Sequence, residues 1–125
     1  MKFLVVDDSI TMRRIIINAL QRIGYTDVVE ATNGTEALER LDQSIGCIIT
    51  DWNMPNMSGV EFARAVRGTL VGASIPMLMV TTRAAREDII AAIDAGVNNY
   101  ILKPFTPSVL KEKLERLMSA AQIAA

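Results

Sequence analysis

Short apolar runs recur along the chain at Phe3–Val6, Val28–Val29, Cys47–Ile49, Met77–Val80 and Tyr100–Leu102. Their length and β-branched character predict strands. Between them the apolar positions fall at helical spacing: Met12, Ile15, Ile16 and Leu20; Ala37, Leu38 and Leu41; Val60, Phe62, Ala63 and Val66; Ile89, Ile90 and Ile93; Val109, Leu110, Leu114 and Leu117. Each set predicts a helix with one apolar face to lay on a sheet. Boundary residues agree. Asn33-Gly34-Thr35-Glu36 and Ser58 with Glu61 resemble capping boxes, Gly24 follows the first helix, and Thr106-Pro107 places proline at a first helical position. The fourth helix starts weakest, since Ala84-Ala85 offers no capping side chain, and Pro76 fits only the entrance of its strand. The tail Ser119–Ala125 either continues the last helix or frays.

Strands alternating with helices, in about five βα units, predict an α/β fold with a doubly wound parallel sheet covered on both faces. Ligands of such folds bind beyond the carboxyl ends of the strands. At 125 residues and 50% hydrophobic, the chain fits one domain over residues 1–125, with no repeat or linker. Lys+Arg 13 against Asp+Glu 14 leaves a net charge of -1, and the basic residues are scattered, which argues against a nucleic-acid or membrane footprint. The apolar run before Asp7-Asp8 is too short for a signal-peptide core, so a cytoplasmic location is expected. Cys47, the one cysteine, sits in an apolar run and reads as a small buried hydrophobe. Histidine is absent, which removes most triads, most zinc sites and any internal phosphohistidine. Chemistry must rest on carboxylates, hydroxyls and lysine.

The strand ends carry those groups. Asp7-Asp8 close the first strand, Asp51 the third, Thr81 the fourth and Lys103, followed by Pro104, the fifth. Singly, each has an ordinary explanation as a cap, a turn or a solvated strand end. Together on one rim they do not. Clustered carboxylates repel one another unless a cation is present, and oxygen ligands without His or Cys favour a hard ion such as Mg²⁺, which commonly shares its positions with phosphate oxygens. Lys103 and Thr81 then suit a phosphoryl group, and Asp51 is left as the nucleophile.

The segments Val5-Val6-Asp7-Asp8-Ser9, Asp51-Trp52-Asn53-Met54-Pro55-Asn56-Met57, Met79-Val80-Thr81 and Lys103-Pro104-Phe105 resemble response-regulator receiver domains, over essentially the whole chain. Lys2–Asp8, Thr11–Ile15 and Tyr100–Thr106 are similar to the single-domain chemotaxis members of that family. The resemblance implies a flavodoxin-like (βα)5 receiver fold with strand order 2-1-3-4-5. It implies Asp51 as phosphoacceptor for a histidine kinase, Asp8, Asp51 and the backbone carbonyl of Asn53 as Mg²⁺ ligands, and Asp7 acting mainly through metal-bound water. Lys103 would contact the phosphoryl group, Thr81 would move to hydrogen-bond it, and Tyr100 would change rotamer as the output switch. A cis Lys103-Pro104 bond would be typical. The chain would be a monomeric signalling protein rather than an enzyme, assisting its own phosphorylation and autodephosphorylation, with a phosphatase as a further partner.

Output is expected on the face of the fourth helix, fifth strand and fifth helix, in a groove bordered by Arg86, Ile89, Tyr100, Lys113 and Arg116 and suited to a peptide with acidic residues beside apolar anchors. By resemblance the partner is the flagellar motor switch or another downstream effector. Two departures from the chemotaxis members stand out: Arg83, two residues after Thr81, replaces an acidic residue beside the phosphoryl group, and Asn98-Asn99 precede Tyr100 at the output face.

Other classes fit less well. A haloacid-dehalogenase-type phosphatase would place its aspartates two apart on the first strand and usually add a cap domain. A flavodoxin-like electron carrier would need a Ser/Thr/Gly phosphate loop where Asp7-Asp8 stand. A receiver belonging to a larger regulator, or a phosphorelay intermediate, remains the nearer alternative.

Overall fold

A computed structural model describes residues 1–124, with side chains as far as residue 119. The elements alternate strictly: β1 (Lys2–Val6), α1 (Ile10–Arg22), β2 (Asp27–Ala31), α2 (Gly34–Arg40), β3 (Ile45–Asp51), α3 (Gly59–Arg67), β4 (Met77–Thr81), α4 (Arg86–Asp94), β5 (Asn99–Leu102) and α5 (Pro107–Ala124). All pairings are parallel, and the strand order is β2-β1-β3-β4-β5. The order reverses beside β1, so a crevice opens between the ends of β1 and β3.

The two-residue period of the strands sorts the core into two layers. Leu4, Val6, Ile48, Met77, Met79 and Tyr100 pack with α2, α3 and α4 through Ala37, Val60, Phe62, Val66 and Ala92. Phe3, Val5, Cys47, Ile49, Leu78, Val80 and Ile101 point the other way, against Ile16 and Leu20 of α1 and Leu110, Leu114 and Leu117 of α5. Phe62 is fully buried, so its truncation to alanine should cost about 3–5 kcal/mol. Cys47 is likewise fully buried, and burial pushes its thiol up to about 12, so it is inert.

The helix starts follow their caps. Ser9 accepts from the Met12 amide at 3.2 Å, Asn33 from Glu36 at 2.8 Å and Thr106 from Val109 at 3.2 Å. Ser58 and Glu61 form a reciprocal capping box, whereas Glu36 reaches back one residue further, to the Thr32 amide. Ala85 opens α4 without a side-chain cap. Gly24, with φ +103°, ends α1 in the left-handed region, and β4 begins just after Pro76. The last helix runs on to Ala124, and Ala125 lies outside the described residues.

Four expected core positions are exposed: Ile15, Ile90, Ile93 and Val109. In α1 the inward face is shared by Arg13, Ile16, Ile17 and Leu20, which turns Ile15 outward. In α4 the small Ala92 meets the core with Ile89 packed beside it, so Ile90 and Ile93 stand off it.

Candidate functional site

The carboxyl end of the sheet gathers Asp7, Asp8, Asp51, Thr81 and Lys103 from four separate β–α junctions. Asp7 leaves β1 with its side chain 1% exposed. Its Oδ1 accepts the Ser9 amide at 2.9 Å, but its Oδ2 is buried without a hydrogen-bond partner. Burial raises the carboxyl to about 6, opposed by the Ser9 hydrogen bond, reinforced by the charge of Asp51, and opposed again by Lys103. Asp51, at the end of β3, holds Oδ1 against the Trp52 amide at 2.8 Å and Lys103 Nζ at 3.2 Å. Neither contact uses its Oδ2. Lys103 Nζ lies 3.7 Å from Asp7 Oδ2, close enough for attraction and too far for a hydrogen bond.

Asp8 is exposed at the mouth, and one carboxylate oxygen each from Asp7, Asp8 and Asp51 lies within 4.8 Å of the others. Two of these carboxylates are buried beside a single ammonium, which leaves a net negative pocket with an orphaned oxygen aimed into it. Its all-oxygen donor set fits a hard divalent cation. The Asn53 side-chain oxygen accepts from Arg83 Nη2 at 3.1 Å.

Thr81 is buried at the end of β4, where its Oγ1 accepts the Arg83 amide at 3.2 Å. Tyr100 packs in the layer of α2, α3 and α4, and its phenol donates to the Arg83 carbonyl. Burial raises that phenol above its ordinary range. The ring is thus already inside the fold. The Lys103-Pro104 peptide is cis.

Of the expected groove residues, Ile89, Tyr100 and Lys113 come together in a cleft of about 490 Å³ with Leu102, Phe105 and Val109. Arg86 and Arg116 do not line it, and Arg116 is engaged one turn back by Glu112 at 2.9 Å. Asn99 borders the groove, but Asn98 does not: its Oδ1 accepts from the Met77 amide and Arg67, both at 2.8 Å, at the opposite end of the sheet. The expectation that both asparagines face output is corrected accordingly, because β5 begins only at Asn99.

Two supports of the site, Arg13 and Gly59, were not visible in the sequence. Arg13 turns inward from α1, donating from Nη1 to the Asp7 carbonyl at 2.7 Å and from Nε to Glu30 at 3.1 Å. A charged residue at an inward helical position was the available signal. Gly59 lets α3 approach β3 so closely that a Cβ would stand 2.2 Å from the Asp51 carbonyl oxygen. Trp52 is buried, with the Arg83 guanidinium 4.7 Å above its ring centre.

A doubly wound sheet with an acidic crevice at its switch point, backed by a strand-end lysine and threonine, defines an α/β domain with a cation-suited site where such folds bind their ligands. The response regulator receiver domain profile matches residues 3–115, and the chain belongs to that family. It is 56% identical over 117 residues to the Helicobacter pylori chemotaxis protein CheY1, covering 92% of this chain and 94% of that one. Among solved structures, Vibrio cholerae chemotaxis protein CheY4 superposes with a TM-score of 0.86 at 38% identity, over 93% of this chain and 97% of that one. The receiver domain of a Pseudomonas aeruginosa sensor histidine kinase, solved with a magnesium ion coordinated in its active site cleft, gives a TM-score of 0.85 at 27% identity, over 94% and 97% of the two chains. Among the described residues no helix is long and apolar enough to cross a membrane.

Proposed function

We propose that this chain is a cytoplasmic chemotaxis regulator that takes a phosphoryl group on Asp51 from the phosphohistidine of a kinase and thereby changes its affinity for the flagellar motor switch. The observation that supports it most directly is the orphaned Oδ2 of buried Asp7 beside an Asp51 whose own Oδ2 is uncommitted. Asp8, Asp51 and the Asn53 carbonyl would hold Mg²⁺, with Asp7 acting mainly through its bound water. When bound, the ion neutralises the pocket and the charge of the transferring phosphoryl group.

The remaining work falls to the chain. Lys103 and the Trp52 amide fix Asp51 through Oδ1, which leaves Oδ2 to attack phosphorus. The new P–O bond forms as the P–N bond breaks, and the electron pair leaves on the imidazole nitrogen of the donor, which takes up a proton. Lys103 is placed to stabilise the phosphoryl oxygens. Thr81 Oγ1, which now accepts the Arg83 amide, exchanges that contact for donation to the phosphoryl group. Hydrolysis of the acyl phosphate, by the domain itself or with a phosphatase, ends the signal.

For output, Tyr100 fixes the floor of the groove of Ile89, Leu102, Phe105, Val109 and Lys113, whose exposed apolar walls and one cation suit an amphipathic helix bearing acidic residues. Mass spectrometry after incubation with acetyl phosphate and Mg²⁺ should find one phosphoryl group, on Asp51, absent in Asp51→Asn and with chelator. Labelling that persists under either condition overturns the reading. Binding of a motor-switch peptide should tighten with beryllofluoride, and Thr81→Ala should remove the difference.

A further inference from the structure

Arg83 stands where four parts of the molecule meet. Its amide donates to Thr81 Oγ1 at 3.2 Å and its carbonyl accepts the Tyr100 hydroxyl, so its main chain is held from both sides. From that base the side chain leaves the β4–α4 junction and crosses to the β3–α3 loop. There the guanidinium lies 4.7 Å over the Trp52 ring and Nη2 donates to Asn53 Oδ1 at 3.1 Å. Its Nη1 lies 3.8 Å from Asp88 Oδ1, in the first turn of α4. That turn has no side-chain cap at its start, because the N-cap is Ala85.

We propose that Arg83 is a positioning residue: a strap that carries occupancy of the acidic pocket from the Asn53 loop to the first turn of α4. The reading rests on Mg²⁺ binding in that pocket. An ion held by the Asn53 carbonyl pins the loop that also presents Asn53 Oδ1 and the Trp52 face. The planar guanidinium, which needs both a ring to stack on and an acceptor in its plane, is then fixed more firmly. A fixed guanidinium confines Asp88 and so steadies a helix end that lacks a cap. Coupling by this route needs no movement of Thr81 and should act before any phosphoryl group arrives. Its size is that of a partly exposed ion pair joined to a cation–π contact, so about two- to fivefold in an opening equilibrium.

The test is amide hydrogen exchange of the full chain with and without saturating Mg²⁺, with ion binding measured separately by calorimetry. Adding Mg²⁺ to the wild type should slow exchange at Asp88 and Ile89, whose amides bond to the Ala85 carbonyl, by about two- to fivefold. Arg83→Ala should still bind Mg²⁺ but lose that protection, and its Trp52 emission should shift even without metal. Asp88→Asn cuts the strap at its other end and should lose the protection while leaving the metal-free Trp52 emission unchanged. Arg83→Lys, which keeps the charge but not the planar fork, should restore part of the response, an outcome a merely structural role would not give. Protection that survives in Arg83→Ala, or wild type that binds Mg²⁺ without protecting α4, overturns the strap alone. Absence of calorimetric binding to the wild type removes the metal site and the strap with it.

Discussion

The two ends of the sheet each bury charge, and they treat it in opposite ways. At the amino end, the half-buried Arg67 spends its guanidinium on main-chain and side-chain acceptors: Gly96 O from Nε at 3.0 Å and from Nη2 at 2.8 Å, Gly72 O and Ile75 O from Nη1 at 2.7 Å each, and Asn98 Oδ1 from Nη2 at 2.8 Å. Desolvation lowers its pKa, but an arginine so bonded keeps its proton. At the carboxyl end, Asp7 buries an oxygen with no hydrogen-bond partner, next to a second buried carboxylate. One end is satisfied and ties α3 to the two loops that enter β4 and β5. The other holds an unmet electrostatic demand that a cation and a phosphoryl group can answer, so stability is concentrated away from the site.

The largest effect should come from the satisfied end. Arg67→Met leaves the Gly72, Ile75 and Gly96 carbonyls without their donor and frees the α3–β4 and α4–β5 connections together, so metal-free protein should lose about 3 kcal/mol. Urea denaturation measures it as a lower midpoint. Arg67→Lys, lacking the fork, should recover less than half. A loss below about 1 kcal/mol in the methionine variant would show that water replaces the hub readily, and the contrast between the two ends would fail.

Next comes the strained end. Asp7 titrates at about 6 in the fold against an ordinary value of 3.8, so between these pH values the folded state binds more protons than the unfolded. Its contribution to stability therefore falls as pH rises through that window. In chelator, the cost of holding Asp7 ionised should reach on the order of 2–3 kcal/mol by neutral pH. Asp7→Asn should flatten that part of the pH profile and raise metal-free stability at pH 8. Saturating Mg²⁺ should stabilise the wild type at pH 8 far more than the variant. An identical pH profile in the two proteins would show that water already satisfies the buried oxygen.

Which of these features the sequence displayed depends on how local they are. Strand alternation and helical spacing carry their period in neighbouring residues, so all ten elements, the strand-end carboxylates, Lys103 and the missing cap of α4 were legible. Arg67 was not, because its acceptors lie 5 to 31 residues away and nothing beside it in the chain announces them. Arg13 was one of the scattered basic residues, and only the fold turns it toward the Asp7 carbonyl. Ile15 and Ile93 were misplaced for a related reason: helical spacing fixes a stripe but not its rotation against the sheet, which Arg13 and Ala92 decide.

Gly59 joins the site to the packed layer beneath it. A methyl group there would press on the Asp51 carbonyl at 2.2 Å, which backbone cannot absorb without moving Asp51. Gly59→Ala should cost about 2 kcal/mol and slow labelling of Asp51 at the same time. A variant destabilised to that extent but labelled at the wild-type rate would place the adjustment in α3 rather than in the site.

The smallest effect separates the two neighbouring helix starts on the α2–α3–α4 face. Ser58 and Glu61 close α3 with a reciprocal box, while α4 begins at Ala85 in an extended conformation, φ -65° and ψ 140°, that a serine could occupy without strain. Ser58→Ala should lose about 1 kcal/mol, and Ala85→Ser should gain about 0.5–1 kcal/mol by supplying an acceptor to the unsatisfied first-turn amides. The gain has a consequence beyond stability. If α4 lacks a cap so that its first turn can respond to the pocket, a serine there pre-empts the response: exchange at Asp88 and Ile89 should be slow already without metal, and Mg²⁺ should slow it little further. A capped α4 that still gains the full metal-dependent protection would show that the loose helix start plays no part in transmitting the signal.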